Sequence, residues 1–263
     1  MSCLRVCLHI LFVLELFVCG FATDCQQFHR NSYEAKAHKF CESHEHCFQL
    51  GKRDGDLGFM VGQCMHKIVR EHLGTHWINV NALMQQKGDM NASYWAFGEL
   101  GAVGQPLISK WGYTWDNRAR SQVHDRALVL TANGQFLRTQ TKNKRFTFVC
   151  HMKKIRKSRG VINREKFWFK QGSSEKAWIA PNDNTQGCFS SHDDMTTMQC
   201  ALSCHKDLRC RSFYMHPESR LCIHTQYIDS LLRESDWIEN PTGWLRFERP
   251  ELRYSTEIKP PFD

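Results

Sequence analysis

The chain has 263 residues, with 35 Lys and Arg against 27 Asp and Glu, a formal net charge of +8, and 13 cysteines. That length suits two modest domains. The cysteine count points to an oxidising compartment, which sets the cytosol aside and with it nucleic acid as a partner.

Arg5 precedes an apolar run from Leu8 to Val18, and Gly20, Phe21 and Ala22 follow with the small-residue spacing of a signal-peptidase site. Residues 1–22 are therefore expected to be a secretory signal, because the run is shorter than a spanning helix needs and contains Glu15. No later run is apolar for long enough to cross a bilayer. Cys3, Cys7 and Cys19 leave with the signal, and the ten that remain are an even number, read as disulfides in a secreted, extracellular protein.

In chain order, "NSYEAKAHKFC" offers Ser32 as a cap and Tyr33, Ala37, Phe40 and Cys41 at helical spacing, predicting a first helix. "GQCMHKIVREHLG" predicts a second, with Met65, Ile68, Val69 and Leu73 as its stripe and Gly74 as its end. "HWINV", "RALVL", "GQFLRT" and "RFTFVC" then read as short strands, with Asn133-Gly134 as a turn. Between Val80 and Arg126 the sequence is irregular and rich in Trp, Gly and Asn, longer than an idle loop. Within it lies the sequon Asn91-Ala92-Ser93, a glycosylation acceptor.

Two helices, a long irregular excursion and a closing strand that ends in cysteine resemble the C-type lectin-like domain, over residues 23–150. "EAKAHKFC", "GDLGFMVG", "WINV", "WGYTW" and "RFTFVC" carry the likeness. It implies a disulfide from Cys41 to Cys150, tying the first helix to the last strand; Cys47 then goes to Cys64 by proximity. The family's second disulfide is missing, with Ala127 at one cysteine position and Gln140 or Thr141 facing it. Sugar-binding members hold calcium through a Glu-Pro-Asn or Gln-Pro-Asp tripeptide and a Trp-Asn-Asp. Here Phe136-Leu137-Arg138 or Leu137-Arg138-Thr139 takes the latter place, and "DNRARSQ" or Gln105-Pro106-Leu107 the former. A guanidinium where a hard dication needs oxygens speaks against calcium. Trp95, Trp111, Tyr113 and Trp115 remain as rings for a ligand or for the core.

The stretch 151–166, "HMKKIRKSRGVINREK", carries seven Lys or Arg against one acid and reads as a linker. Lys153, Lys154, Arg156, Lys157 and Arg159 fit a solvated connector, a site for sulfated or other anionic glycans, or a processing site.

Beyond it, Thr196 and Gln199 form a capping box, Cys200 and Cys204 share a helix face, and "RSFYMH" and "RLCIH" alternate around a His-Pro-Glu-Ser turn. Residues 167–250 thereby resemble the PAN/apple domain, a helix on an antiparallel sheet, with 251–263 as a tail. The resemblance implies Cys200–Cys222 and Cys204–Cys210, with "GWLRFER" as a closing strand, and leaves Cys188 without a partner in its own half. A bridge from Cys25 to Cys188 would clamp the domains; the rival is a bridge to another chain.

"CESHEHC" gathers Cys41, His44, His46 and Cys47 at zinc-like spacing, and His72 and His76 lie four apart, but oxidation claims the cysteines and Gly74 interrupts the other pair. Asp193-Asp194 reads as capping of the following helix. No nucleophile elbow, zincin motif or phosphate loop is present. The expectation is an α+β protein of two small disulfide-stapled domains, without cofactor or metal and not an enzyme. It would bind an extracellular protein or an anionic glycan without calcium. The alternatives are a carbohydrate-binding lectin with a non-standard site and a disulfide-linked assembly component.

Overall fold

A computed structural model describes residues 28–62, 65, 74–83, 95–99, 114–115, 125–154, 166–170, 177–178, 187–230, 237–238 and 243–249. Its first sheet is organised around strand β8, Phe146–Lys154, which three other strands flank. On one side runs β1, Phe28–His38, antiparallel, with Ser32 opposite Cys150 and Tyr33 opposite Val149. On the other side β2, Asp56–Met60, pairs antiparallel with the later half of β8, and β3, His76–Asn81, pairs parallel with the earlier half. The sheet continues from β3 through β6, Ala127–Leu130, and β7, Gln135–Thr139, to β5, Thr114–Trp115, with β4, Ala96–Phe97, against β3.

The first predicted helix is corrected by this arrangement. Residues 32–38 form strand, and Tyr33 and Ala37 are exposed on it rather than packed on a helix face. Ala, Glu and Lys favour helix, but pairing with β8 outweighs that weak preference. Helix α1, Phe40–Arg53, starts after Lys39, whose backbone N–H donates to the Glu42 carboxylate at 3.1 Å. Its buried face is Phe40, Ser43, His44, Cys47 and Gly51, a helical stripe. Gly51 lies against Gly58 of β2 so closely that a Cβ on Gly58 would stand 1.8 Å from the Cys47 carbonyl oxygen. Glycine at both positions thus sets how deeply the helix sits on the sheet. The second predicted helix lies outside the described residues apart from Met65, which is helical and buried.

All six residues of β3 are buried because both faces of the sheet are covered. Ile78 and Val80 join Leu128, Leu130, Phe136, Val149 and Trp95 in one core, while Trp77 and Val129 join Phe40, Cys47, Met60 and Phe148 in another. Trp77 also donates its indole N–H to the His38 carbonyl at 2.8 Å. At the β6–β7 hairpin Ala127 faces Thr139, not Gln140 or Thr141, because the register runs from Leu130–Phe136 without a shift.

The second sheet is antiparallel throughout, in the order β11 Phe189–His192, β13 Leu221–Gln226, β12 Cys210–His216, β15 Leu245–Glu248 and β9 Trp168–Lys170. Two further strands, β10 Ala177–Trp178 and β14 Trp237–Ile238, pair only with each other. Helix α2, Thr197–Lys206, begins at the predicted capping box, where Thr196 accepts from the Gln199 backbone at 3.2 Å and Gln199 returns the bond to Thr196 N–H at 2.8 Å. Loss of such a cap costs about 1 kcal/mol. Cys200–Cys222 and Cys204–Cys210 fasten the helix to the hairpin, as the resemblance implied. "LRFE" is a sheet strand between β12 and β9. Asp194 does not cap the helix; it pairs at 2.9 Å with Arg220 of the β12–β13 turn.

The other cysteine pairings differ from expectation. Cys47, not Cys41, reaches Cys150, and Cys41 takes Cys188. Because the helix starts at Phe40, its two cysteines point about 120° apart around the axis, one at β8 and the other at the second half. Cys25 and Cys64, expected to pair with Cys188 and Cys47, lie outside the described residues. The clamp between halves therefore exists, but springs from Cys41. With Cys47–Cys150 already shortening its loop, the chain-entropy account credits Cys41–Cys188 with about 4 kcal/mol.

The four described disulfides accord with an oxidising compartment. Among the described residues no helix is long and apolar enough to cross a membrane.

A protease site inserted between residues 155 and 165 should, after cutting, leave one band on a non-reducing gel and two on a reducing gel, whereas Cys41→Ser/Cys188→Ser should give two bands in both. Gly58→Ala should lower stability by about 2–3 kcal/mol in chemical denaturation, since the added methyl meets backbone.

Candidate functional site

The two halves meet along α1. Cys188, Tyr227 and Ile228 of the second half enter the core that contains Phe40, Cys47 and Trp77. The His44 imidazole stacks on the Tyr227 ring, centroids 5.3 Å apart and 12° from parallel. Glu45, one residue on, accepts from the Tyr227 hydroxyl and from Arg209 at 3.3 Å. Arg209 also grips Asp207 through 2.9 and 3.0 Å bonds, and its guanidinium lies over Phe48 at 5.6 Å. Tyr227 holds a left-handed backbone, φ 64°, a conformation that costs on the order of 1–3 kcal/mol in a residue with a side chain. Bonds from its N–H to the Arg209 carbonyl, 2.7 Å, and from Arg211 to its own carbonyl, 2.9 Å, fix it there.

Beside this contact opens a cavity of about 540 Å³, within the range of small-ligand sites and placed where such sites concentrate, between structural units. Phe48, Leu57 and Leu208 form its apolar wall. Lys52 comes from α1, Lys206 from α2, and Arg209 from the turn after α2. Gln49, Asp56, Asp207, Ser203, His192 and His224 complete the polar lining. The two imidazoles are 4.5 Å apart, and His224 is pushed down to about 4 by burial and by its neighbour His192, so it is neutral at physiological pH. Sequence reasoning missed this site, since its charges come from residues 52, 206 and 209, which no motif joins.

The residues singled out from the sequence are not gathered in one place. Trp95 is fully buried in the first core. Trp115 lies in β5, whose backbone pairs with β7, while Trp111, Tyr113 and Asn91 lie outside the described residues. Lys153 is half-buried and Lys154 exposed at the end of β8, which runs four residues into the stretch read as linker. Pairing with both β1 and β2 keeps that stretch in the sheet. Arg156, Lys157 and Arg159 lie outside the described residues.

The residues that the resemblance set at a calcium position present no cluster of carboxylates among the described residues. Phe136 is buried, Leu137 and Arg138 are half-buried on β7, and the Arg138 guanidinium senses the Asp125 carboxylate. Partial burial lowers the Arg138 pKa while Asp125 works against that, and arginine stays charged throughout. The zinc-like set is dispersed as well: Cys41 and Cys47 belong to separate disulfides, His44 stacks on Tyr227, and His46 meets Glu34 at 3.2 Å. Cys200, Cys222 and His224 cluster closely, yet the two sulfurs are bonded to each other. His76 is buried against the Thr147 hydroxyl at 2.5 Å.

A mixed sheet and an antiparallel sheet, each carrying a helix stapled by disulfides, define the expected α+β architecture. No protein-family model matches the chain. No curated protein matches it significantly. Among solved structures, the carbohydrate-recognition domain of a human scavenger receptor C-type lectin is similar over 47% of this chain and 90% of its own, with 14% identity and a TM-score of 0.29. A superposition so loose assigns neither fold family nor ligand.

Burial also lowers His44 to about 3, with Arg211 adding repulsion, and His151 to about 4. The unfolded chain protonates these rings and His224 near pH 6.5, the native chain only near 4 or below. Stability is therefore full above about pH 6.5 and falls, by about 1.4 kcal/mol per pH unit for each ring, toward pH 4. Thermal melts across that window should show the decline, and His44→Phe, which keeps the stack on Tyr227, should make it shallower.

Proposed function

We propose that this is a secreted, non-catalytic recognition protein that binds an anionic glycan or a protein surface without calcium. In this reading residues 23–150 are a degenerate C-type lectin-like domain, 151–166 a basic linker and 167–250 a PAN/apple-like domain. The observation that carries it is Arg138, a guanidinium paired in charge with Asp125 where a calcium site would need free carboxylates. Further support comes from the disulfide between the first helix and the closing strand, and from the two staples of α2, pairings in keeping with the two families. The first of these uses Cys47 in place of Cys41.

Anionic glycan is favoured over a neutral sugar by the charge distribution. The basic run begins at Lys153 and Lys154, beside β2 and the cavity rim, since Lys154 pairs with Asp56 in register. Clustered lysines and arginines attract sulfates and carboxylates electrostatically and weakly discriminate among neutral hydroxyls.

A glycan array on the oxidised mature chain, run with calcium, with chelator and across a salt series, tests this. The expected result is binding to sulfated or uronate-rich glycans that survives chelator and fades between 0.05 and 0.5 M salt, on the order of a Debye length shrinking by a factor of three. Binding to neutral sugars that chelator abolishes would overturn it, and a blank array would leave protein surfaces as the target.

A further inference from the structure

The cavity between the halves is lined by two lysines that make no ion pair among the described residues. Arg209 is committed to Asp207 and Glu45. Asp56 lines the same cavity and stands opposite Lys154 in the β2–β8 register, with no ion pair to Lys52 or Lys206. Lys52 and Lys206, by contrast, have no acid within ion-pair distance among the described residues, and both are exposed at the cavity.

Helix ends supply the obvious competing explanation, because both lysines sit in the last turn of their helices, where carbonyl partial charge welcomes a cation. At α2 that role is already filled. The buried Arg249 guanidinium takes the carbonyls of Cys204 at 3.2 Å, Asp207 at 3.2 Å and Cys210 at 2.8 Å. At α1 the N–H groups of Asp54 and Gly55 close onto the carbonyls of Gly51 and Lys52 at 3.0 and 3.2 Å. Neither lysine charge is therefore needed to satisfy its helix end.

Resting on the anionic-glycan reading above, we propose that this cavity receives an acidic sugar residue, a uronate or O-sulfated unit of a glycan chain. Lys52 and Lys206 contact its anionic groups, and Phe48, Leu57 and Leu208 pack against its C–H face. One lysine comes from each half, so the site exists only while the halves are held together. A sugar seated there has an exit along β8, because Leu57 and Asp56 of the lining face Lys153 and Lys154 in register. Neighbouring units of the same chain would then meet the start of the basic run. His192, His224 and Ser203 also line the cavity, and His224, held neutral by burial, offers a hydrogen bond rather than charge.

The test uses the full oxidised chain and a heparin-derived hexasaccharide, with dissociation constants measured by calorimetry at several salt concentrations. Lys52→Gln/Lys206→Gln should weaken binding by about tenfold and reduce the slope of log Kd against log salt by roughly two, the number of released counterions. Ser203→Phe, which fills the cavity without removing charge, should weaken binding by a similar factor. Both lysines are exposed, and an unchanged disulfide map and melting temperature would certify each variant as folded. If both variants bind as the parent does, the cavity proposal falls while the linker reading stands. If only the lysine variant loses affinity, the charges act as an open patch and the cavity proposal again falls. If the parent chain binds no hexasaccharide at any salt, the functional reading falls and takes the cavity with it.

Discussion

Everything in this structure hangs on helix α1 being fastened on two sides at once. Cys47 and Cys41 are six residues apart, which turns them to different faces. One bonds to the central strand of the first sheet and the other to the second half. The glycine pair at 51 and 58 removes the side chains that would hold the helix off the sheet. A helix free to shift would carry the second half with it. Among the described residues, the non-covalent contacts between the halves are modest: Cys188, Tyr227 and Ile228 enter the core, and the Glu45 contacts are partly solvated, where ion pairs contribute less than about 1 kcal/mol. Among the described contacts, the disulfide does most to keep the halves in register.

The second half shows why it needs covalent help. Four of the six fully buried residues in its own helix–sheet cluster are half-cystines, joined by Phe213 and Met215. A core that small is stabilised by staples more than by apolar area. Its interior also holds charge. Arg246 is buried between Asp229, at 2.5 Å, and Glu248, while Ser212 donates to the same Asp229 at 2.5 Å. Such a cluster contributes little net stability compared with apolar packing, but it leaves few alternative ways to assemble the strands, because any other register strands a charge. The Tyr214 hydroxyl, donating to the Ser230 carbonyl at 3.0 Å, extends the same network.

How much of this could be read from the sequence depends on the range of the interaction involved. The capping box at Thr196 and Gln199, the hairpin around His216 and Pro217, and the four strands from His76 to Cys150 are local patterns, and they appear where the pattern put them. The stretch from Ser32 to His38 misleads because its residues favour helix and only the distant β8 makes it a strand. The resemblance assigned Cys41 to Cys150, but with the helix starting at Phe40 it is Cys47 that faces β8 and Cys41 that reaches Cys188. A clamp to Cys188 was legible from cysteine parity, but its origin was not. The cavity was invisible because its two free lysines are 154 positions apart in sequence, at the ends of two different helices.

The same separation explains what a fixed seam does for recognition. If the halves moved independently, a ligand bridging Lys52 and Lys206 would have to order them on binding and would forfeit part of its affinity. Disulfide, stacked His44–Tyr227 pair and the held left-handed Tyr227 backbone settle that geometry at folding instead. Calcium performs an equivalent service in sugar-binding lectins by fixing oxygens in a rigid polyhedron. In the proposed site, covalent closure between the halves supplies that preorganisation. Selectivity in such a site follows from the spacing of two cations and an apolar wall rather than from hydroxyl geometry around an ion. It is therefore directed at charge and shape, and its strength is tied to the integrity of the Cys41–Cys188 bond.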